Sequence, residues 1–202
     1  INVCAVSEEV CLPHTWNAID GQDGGNDYFR GTCLYRKNFS KDMLPKSDKY
    51  YLEINGANSS ADVYMNGKHL AHHDGGYSTW RVNITAYLRA ENTLSVLVDN
   101  SPNEEVYPQV ADFTFYGGLY RDVNIICVNN THFDLEYYGG KGIVITPQIL
   151  GDDASVKIDA YACGLMAKDS IAYEILDKEG NTVAKTVSRN SSELLTIKGV
   201  HL

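Results

Sequence analysis

The chain has 202 residues, 44% of them hydrophobic and 21% charged, with 17 Lys plus Arg against 26 Asp plus Glu for a formal charge of −9. Such a balance fits a globular chain of one large domain or two smaller ones and excludes intrinsic disorder. An acidic chain lacks the clustered cations that hold phosphates, and no apolar run approaches the roughly 20 residues of a membrane-spanning helix, so neither nucleic acid nor a membrane is expected as a partner.

The first stretch, INVCAVSEEV, lacks the basic start and long apolar run of a secretory signal, which leaves the compartment open. GQDGGND (21–27) is Gly-rich but opens no helix, so it reads as a surface loop rather than a phosphate cradle. Runs of β-branched and aromatic residues follow at 50–54 (YYLEI), 61–65 (ADVYM), 79–84 (TWRVNI), 93–98 (TLSVLV) and 120–126 (YRDVNII). Each is bounded by Gly, Asn, Asp or Pro and predicts a strand. Within VYMNGKHL, Asn66-Gly67 supplies the two positive-φ positions of a tight hairpin turn. Helical periodicity is nearly absent, and the first half reads as an antiparallel sandwich.

After Val128 the texture changes, and a boundary is placed near 129–131. GIVITPQI (142–149), ASVKIDAYA (154–162), SIAYEIL (170–176), NTVAKTV (181–187) and ELLTI (193–197) read as strands, with Gly180 in the turn DKEGN. About five strands in about 70 residues suggest an immunoglobulin-like sandwich, whose full form holds about seven strands in about 100 residues. The second domain is therefore expected to be incomplete at Leu202.

Glycoside cleavage needs two carboxyl groups held about 5–10 Å apart on a rigid frame. The adjacent pairs Glu8-Glu9, Glu104-Glu105 and Asp152-Asp153 lie in polar connections where nothing fixes that spacing, so no catalytic residue is assigned. HLAHHDGGY gathers His69, His72, His73 and Asp74, all of zinc-ligating type. On a strand, however, His72 and His73 face opposite sides, so the stretch reads as a polar hairpin end and no metal is expected. The five cysteines (Cys4, Cys11, Cys33, Cys127, Cys163) lack CxxC spacing and read as buried thiols, with a Cys4–Cys11 pair left open. No G-x-S-x-G elbow is present. Triplets opened by Asn38, Asn58 and Asn83 match glycosylation acceptors and are treated as chance. The 14 Tyr and two Trp suit stacking on sugar rings, although most aromatics of a sandwich pack in the core or across strands.

Three stretches carry a resemblance: LPHTWNAIDGQDGGNDYFRGTCLYRKNF (12–39), ADVYMNGKHLAHHDGGYSTWRVNIT (61–85) and ADFTFYGGLYRDVNII (111–126). In order and spacing they resemble the amino-terminal sugar-binding domain of glycoside hydrolase family 2, the family of β-galactosidases and β-glucuronidases. The resemblance implies an all-β chain, with a jelly-roll (galactose-binding-like) β-sandwich over 1–129 and a truncated immunoglobulin-like β-sandwich over 130–202. It further implies a non-catalytic fragment that works with a catalytic barrel of the same polypeptide, binds carbohydrate and needs no cofactor. A β-galactoside is the default ligand, because no basic cluster near Asp112 calls for a uronic acid. In the β-galactosidase branch an aspartate just before the Gly-Gly element bonds sugar hydroxyls, and Asp112 holds the matching position. The alternative is an Asp that caps its own loop. A second contribution, from an asparagine in the loop before the Y-R-K strand, falls on Asn26. Arg121-Asp122 belongs to the strand signature and takes no ligand role.

Two other functions stay open. One is a stand-alone carbohydrate-binding module gripping glycans through exposed aromatics such as Trp80, Tyr77 or Tyr116. The other is a structural interface domain with no sugar contact.

Overall fold

The alternating apolar runs form strands because each lays one face on a second sheet. A computed structural model describes residues 7–20, 29–107 and 114–198. The chain divides into two units, 1–127 and 128–202. Unit 1 contains β1 (Thr32–Ser40), β2 (Lys49–Ile54), β3 (Ser60–Met65), β4 (Lys68–Asp74), β5 (Trp80–Asn83), β6 (Glu91–Asp99) and all but the last residue of β7 (Val123–Val128). They form one sheet of order β1-β6-β3-β4 and another of order β5-β2-β7.

Register places Ala61, Val63 and Met65 of β3 opposite Val98, Val96 and Leu94 of β6, so one face of the larger sheet is apolar. That face packs with Tyr50, Leu52 and Ile54 of β2 and with Trp80, Ile84 and Leu119. Leu52, Ile54, Val63, Met65 and Ile84 are at most 1% exposed. Burying an aliphatic side chain that completely contributes roughly 1.5–3 kcal/mol of transfer free energy. The β3–β4 hairpin turns on Asn66 (φ 54°) and Gly67 (φ 82°), as their sequence predicts.

Unit 2 contains β8 (His132–Phe133), β9 (Ile143–Leu150), β10 (Asp153–Ala160), β11 (Ala162–Cys163), β12 (Ile171–Leu176), β13 (Thr182–Ser188) and β14 (Ser192–Ile197). Its sheets run β14-β10-β9, β12-β13 and β11-β8. The core is small, built on Ile158, Ala160, Ile171, Tyr173 and Leu195.

The expectation of buried thiols does not hold. Cys11 is exposed, and Cys33, Cys127 and Cys163 are half-buried and free. These last three lie on β1, β7 and β11, strands covered by a sheet neighbour on one side only. Cys4 lies outside the described residues. Among the described residues no helix is long and apolar enough to cross a membrane.

Candidate functional site

Asp112 and Asn26, the expected sugar-contacting residues, lie outside the described residues, but the segments flanking them are described and meet at one side chain. Asn17 is fully buried. Its Oδ1 accepts the Gly117 N–H at 2.7 Å and Asn100 Nδ2 at 3.3 Å. Its Nδ2 donates to Asp20 Oδ2 at 2.8 Å and to the Phe29 carbonyl at 2.9 Å. A side-chain amide has two donor and two acceptor positions, and this one fills all four. Asp20 and Phe29 bracket residues 21–28, and Gly117 stands shortly after 108–113. The described residues flanking 21–28 and those following 108–113 therefore meet at one polar junction.

Further bonds hold that junction. Asp20 Oδ2 also accepts the Phe29 N–H at 3.0 Å. That bond and the one from Asn17 hold the Asp20 carboxyl below the usual carboxylate range. The Phe29 carbonyl accepts Asn100 Nδ2 at 3.2 Å and Trp16 Nε1 at 3.4 Å as well.

The loop before β7 is fixed from its other side. Thr15 Oγ1 donates to the Gly117 carbonyl at 2.7 Å, and His14 N donates to the Leu119 carbonyl at 2.8 Å. Asn58 donates through Nδ2 to the Tyr116 carbonyl at 2.9 Å and through its backbone to the Gly118 carbonyl at 3.1 Å. At 4% exposure Asn58 is a buried loop anchor, not a surface glycan acceptor.

These contacts account for the Gly-Gly pair. A Cβ on Gly117 would enter the Trp16 ring, and one on Gly118 (φ 126°) would fall 2.6 Å from the His14 carbonyl and 2.7 Å from the Tyr35 hydroxyl. His14 Nδ1 lies 2.8 Å from that hydroxyl. Burial pushes the Tyr35 phenol up to about 12, so it stays neutral at neutral pH.

Exposed aromatics border the same segments: Tyr107 at 90%, Phe29 at 55% and Tyr116 at 39%. Their apolar faces suit the faces of sugar rings. Trp80 is a correction. At 7% exposure, stacked on His73 at 4.9 Å, it is a core residue of β5 and presents no platform to solvent. Arg121 Nη1 donates to the Tyr77 carbonyl at 2.8 Å and Tyr120 donates its hydroxyl to the Gly76 carbonyl, so both tie backbone together.

The His-rich arm separates as the strand pleat requires. His73 faces Trp80, with Nε2 3.2 Å from Ser78 Oγ. His72 sits between two carboxylates, with Nδ1 3.0 Å from Asp62 and Nε2 3.1 Å from Asp74. His69 Nε2 lies 2.8 Å from the same Asp62 oxygen. Ser60 Oγ and Asn103 Nδ2 donate to Asp74 at 2.6 and 3.0 Å. With both ring nitrogens facing acceptors, the imidazolium is the form of His72 that bonds to both, and the Asp62 hydrogen bond raises its pKa. Ser60, Asp62, His72, Asp74 and Asn103 line an open pocket of about 410 Å³. Among the described residues no group of three or more His, Cys, Asp or Glu side chains is arranged to hold a metal ion.

Sequence reasoning missed the anchoring roles of Asn17 and Asn100, and it read Asn58 only as the start of a chance acceptor triplet. Their partners lie up to 100 residues away, and nothing local marks them apart from the presence of Asn17 in the LPHTWN stretch.

Comparison with known proteins agrees with this architecture. The family model described as "Glycosyl hydrolase 2 galactose-binding domain-like" matches residues 27–117. A β-glucuronidase of Bacteroides fragilis is 33% identical over 189 residues, which make up 92% of this chain and 27% of that protein. A β-galactosidase of Thermoanaerobacter pseudethanolicus is 28% identical over 187 residues, 90% of this chain and 24% of its own length. The crystal structure of an FMN-binding β-glucuronidase from Facaelibacterium prausnitzii L2-6 superposes with a TM-score of 0.88 at 40% identity, covering 96% of this chain and 31% of that one. The chain thus spans about a quarter of the length of these curated relatives. It belongs to glycoside hydrolase family 2 and carries the galactose-binding-like amino-terminal domain of that family.

Proposed function

We propose that this chain is the non-catalytic amino-terminal part of a β-glycosidase and lends sugar contacts and scaffold to an active site whose catalytic carboxylates lie outside residues 1–202. Unit 1 is the jelly-roll sugar-binding domain, and unit 2 is an immunoglobulin-like domain not completed within this chain. The supporting observation is the Asn17 junction. Four hydrogen bonds at one buried amide tie together the described residues that flank Asn26 and Asp112, the kind of rigid support that a contact residue needs. In this reading Asp112 accepts sugar hydroxyls and selects among epimers by geometry, because a carboxylate left without its hydroxyl partner is costly.

The substrate is a β-glucuronide, favoured by the β-glucuronidases at 33% and 40% identity. A β-galactoside is the second reading, favoured by the β-galactosidase at 28% identity. The lack of a basic cluster near Asp112 does not separate the two, since a cation for the uronate can come from the catalytic domain.

The test pairs the full-length enzyme with the 202-residue chain, using aryl β-glucuronide and aryl β-galactoside. In the full-length enzyme Asp112→Ala lowers kcat/KM about 10–100-fold on the true substrate, the cost of one hydrogen bond to a charged group. The 202-residue chain alone hydrolyses neither. Unchanged kinetics in Asp112→Ala, or turnover by the isolated chain, would overturn the proposal.

A further inference from the structure

Unit 2 carries an aromatic group that its core does not use. Tyr137 stacks on Tyr161 with ring centroids 4.4 Å apart, and Tyr138 meets Tyr137 edge-on at 4.9 Å. Tyr138 is 90% exposed and Tyr161 38%. None of the three belongs to the buried cluster around Ile158 and Leu195.

The backbone sets this group at a loop tip. Tyr138 (φ 48°) and Gly139 (φ 62°) are the central residues of a tight turn, closed by the Gly140 N–H, which donates to the Tyr137 carbonyl at 2.9 Å. Both central positions of such a turn suit Asn and Gly, and a bulky side chain in the left-handed region is an outlier. A large ring thus stands in water on a backbone that disfavours it, so neither burial nor turn geometry accounts for a tyrosine there. The loop base is tied on both sides of the stack: Asp134 N donates to the Tyr161 carbonyl and Tyr161 N to the Gly142 carbonyl, each at 2.7 Å.

A polar row runs beside the rings. Lys157 and Asp159 of β10 alternate with the buried Ile158 and Ala160, so both point away from the core. Lys157 Nζ donates to Asp159 Oδ2 at 2.9 Å. A bond to Tyr161 raises the Tyr137 phenol, and the nearby Asp159 carboxylate adds to that rise, which puts the carboxylate close to the stack. Register adds Thr146 and Leu194 opposite Lys157, and Val144 and Ser192 opposite Asp159, to the same outward face. From Lys157 to Tyr161 an extended chain covers roughly 13 Å.

We propose that Tyr137, Tyr138 and Tyr161, with Lys157 and Asp159 alongside, form a carbohydrate-binding platform that takes an uncharged glycan chain. A sugar ring offers an apolar face to an aromatic ring and, at its rim, hydroxyls that donate to a carboxylate and accept from an ammonium. The platform supplies both, and its length admits a short run of rings instead of one. Lys157 and Asp159 balance each other, so the face favours neither a polyanion nor a polycation. The carbohydrate class of the occupant rests in part on the reading of the chain as part of a β-glycosidase.

The test is native affinity electrophoresis of the full-length enzyme in gels containing soluble β-galactan or soluble β-glucan. At least one polymer retards the wild type. Tyr138→Asn removes the ring at a position whose backbone suits Asn, so the loop keeps its fold, and apparent affinity falls about tenfold, the loss of one stacking partner. Tyr161→Ala weakens retardation as well, Tyr138→Phe preserves it, and kcat/KM on small aryl β-glycosides is unchanged in all three. Absence of wild-type retardation in both gels, or equal retardation of Tyr138→Asn and wild type, overturns the inference. So does joint loss of retardation and aryl-glycoside turnover in Tyr138→Asn, which would make the ring structural. Resistance of Tyr138 to nitration in the full-length enzyme also overturns it, since another part of the polypeptide would then be the occupant. The two readings fail separately: turnover of aryl glycosides without retardation sinks the platform alone, and Tyr138-dependent retardation of an enzyme without glycosidase activity sinks the hydrolase reading alone.

Discussion

Strand β2 of unit 1 and strand β9 of unit 2 both place large apolar side chains at alternate positions, and they differ in what faces them. Tyr50, Leu52 and Ile54 are at most 4% exposed, whereas Ile143, Ile145 and Ile149 are 39–62% exposed. β2 is the central strand of its sheet and packs on the four-stranded sheet, while β9 is, among the described residues, an edge strand in a unit with a small buried core. A period of two reports which face of a strand is apolar; whether that face is buried depends on a second layer that the strand does not encode.

The largest test of this contrast is Leu52→Ala. The side chain is 1% exposed in a closed sandwich, so its removal leaves a cavity and costs about 4 kcal/mol, within the 2–5 kcal/mol range for such truncations. Chemical denaturation of the 202-residue chain measures it, with unit 1 losing stability. A cost below about 1 kcal/mol would mean that the core of unit 1 is as open as that of unit 2.

Next in size is Asn17→Ala, which leaves the Gly117 N–H and the Phe29 carbonyl each short of a partner. A buried polar group so left costs about 1–3 kcal/mol, and the remaining bonds to Phe29 soften the loss, so about 2–3 kcal/mol is expected. The same variant speeds amide exchange in 114–118. An effect confined to overall stability, with 114–118 still protected, would separate the junction from loop positioning.

Much of this fold was legible because strands are local. The runs read at 50–54, 61–65, 93–98, 170–176 and 193–197 coincide within two residues with β2, β3, β6, β12 and β14. β1 was reached only through the resemblance, since TCLYRKNFS carries its charges on an edge strand and lacks clean alternation. The strand read at 120–126 begins only at Val123, because Tyr120 and Arg121 are tied to the Gly76 and Tyr77 carbonyls instead of to a ladder. The site was less legible. The Gly117-Gly118 pair was visible, but the need for glycine appears only once Trp16 and His14 are packed beside it.

A smaller effect belongs to His72, and its sign is set by two carboxylates. Bonds to Asp62 and Asp74 raise its folded pKa above the ordinary ~6.5, and His69 shares Asp62. A raised pKa gives stability that is fully present below the unfolded value and lost as pH rises through the folded one. Because the side chain is 48% exposed, solvent screens the pair and the contribution stays under about 1 kcal/mol. Denaturation at about pH 5.5 and about pH 8.5 should show wild type losing more stability than His72→Gln across that window. Equal slopes would show that the clamp is not charged.

The smallest expected change is the sharpest test of the contrast between β2 and β9. Ile145→Thr keeps a β-branched residue on the strand, so backbone preference is nearly unaltered, and at 62% exposure the lost methyl contacts are few. In the 202-residue chain the substitution should stay within about 0.5 kcal/mol, as for ordinary surface positions. The same swap on β2, Ile54→Thr, falls at 1% exposure, removes buried apolar area and buries a hydroxyl, which raises the cost to about 2–4 kcal/mol. Denaturation of both variants reads the difference directly. If the two cost the same, the exposed face of β9 contributes as much as the closed core behind β2, and the contrast between the two strands fails.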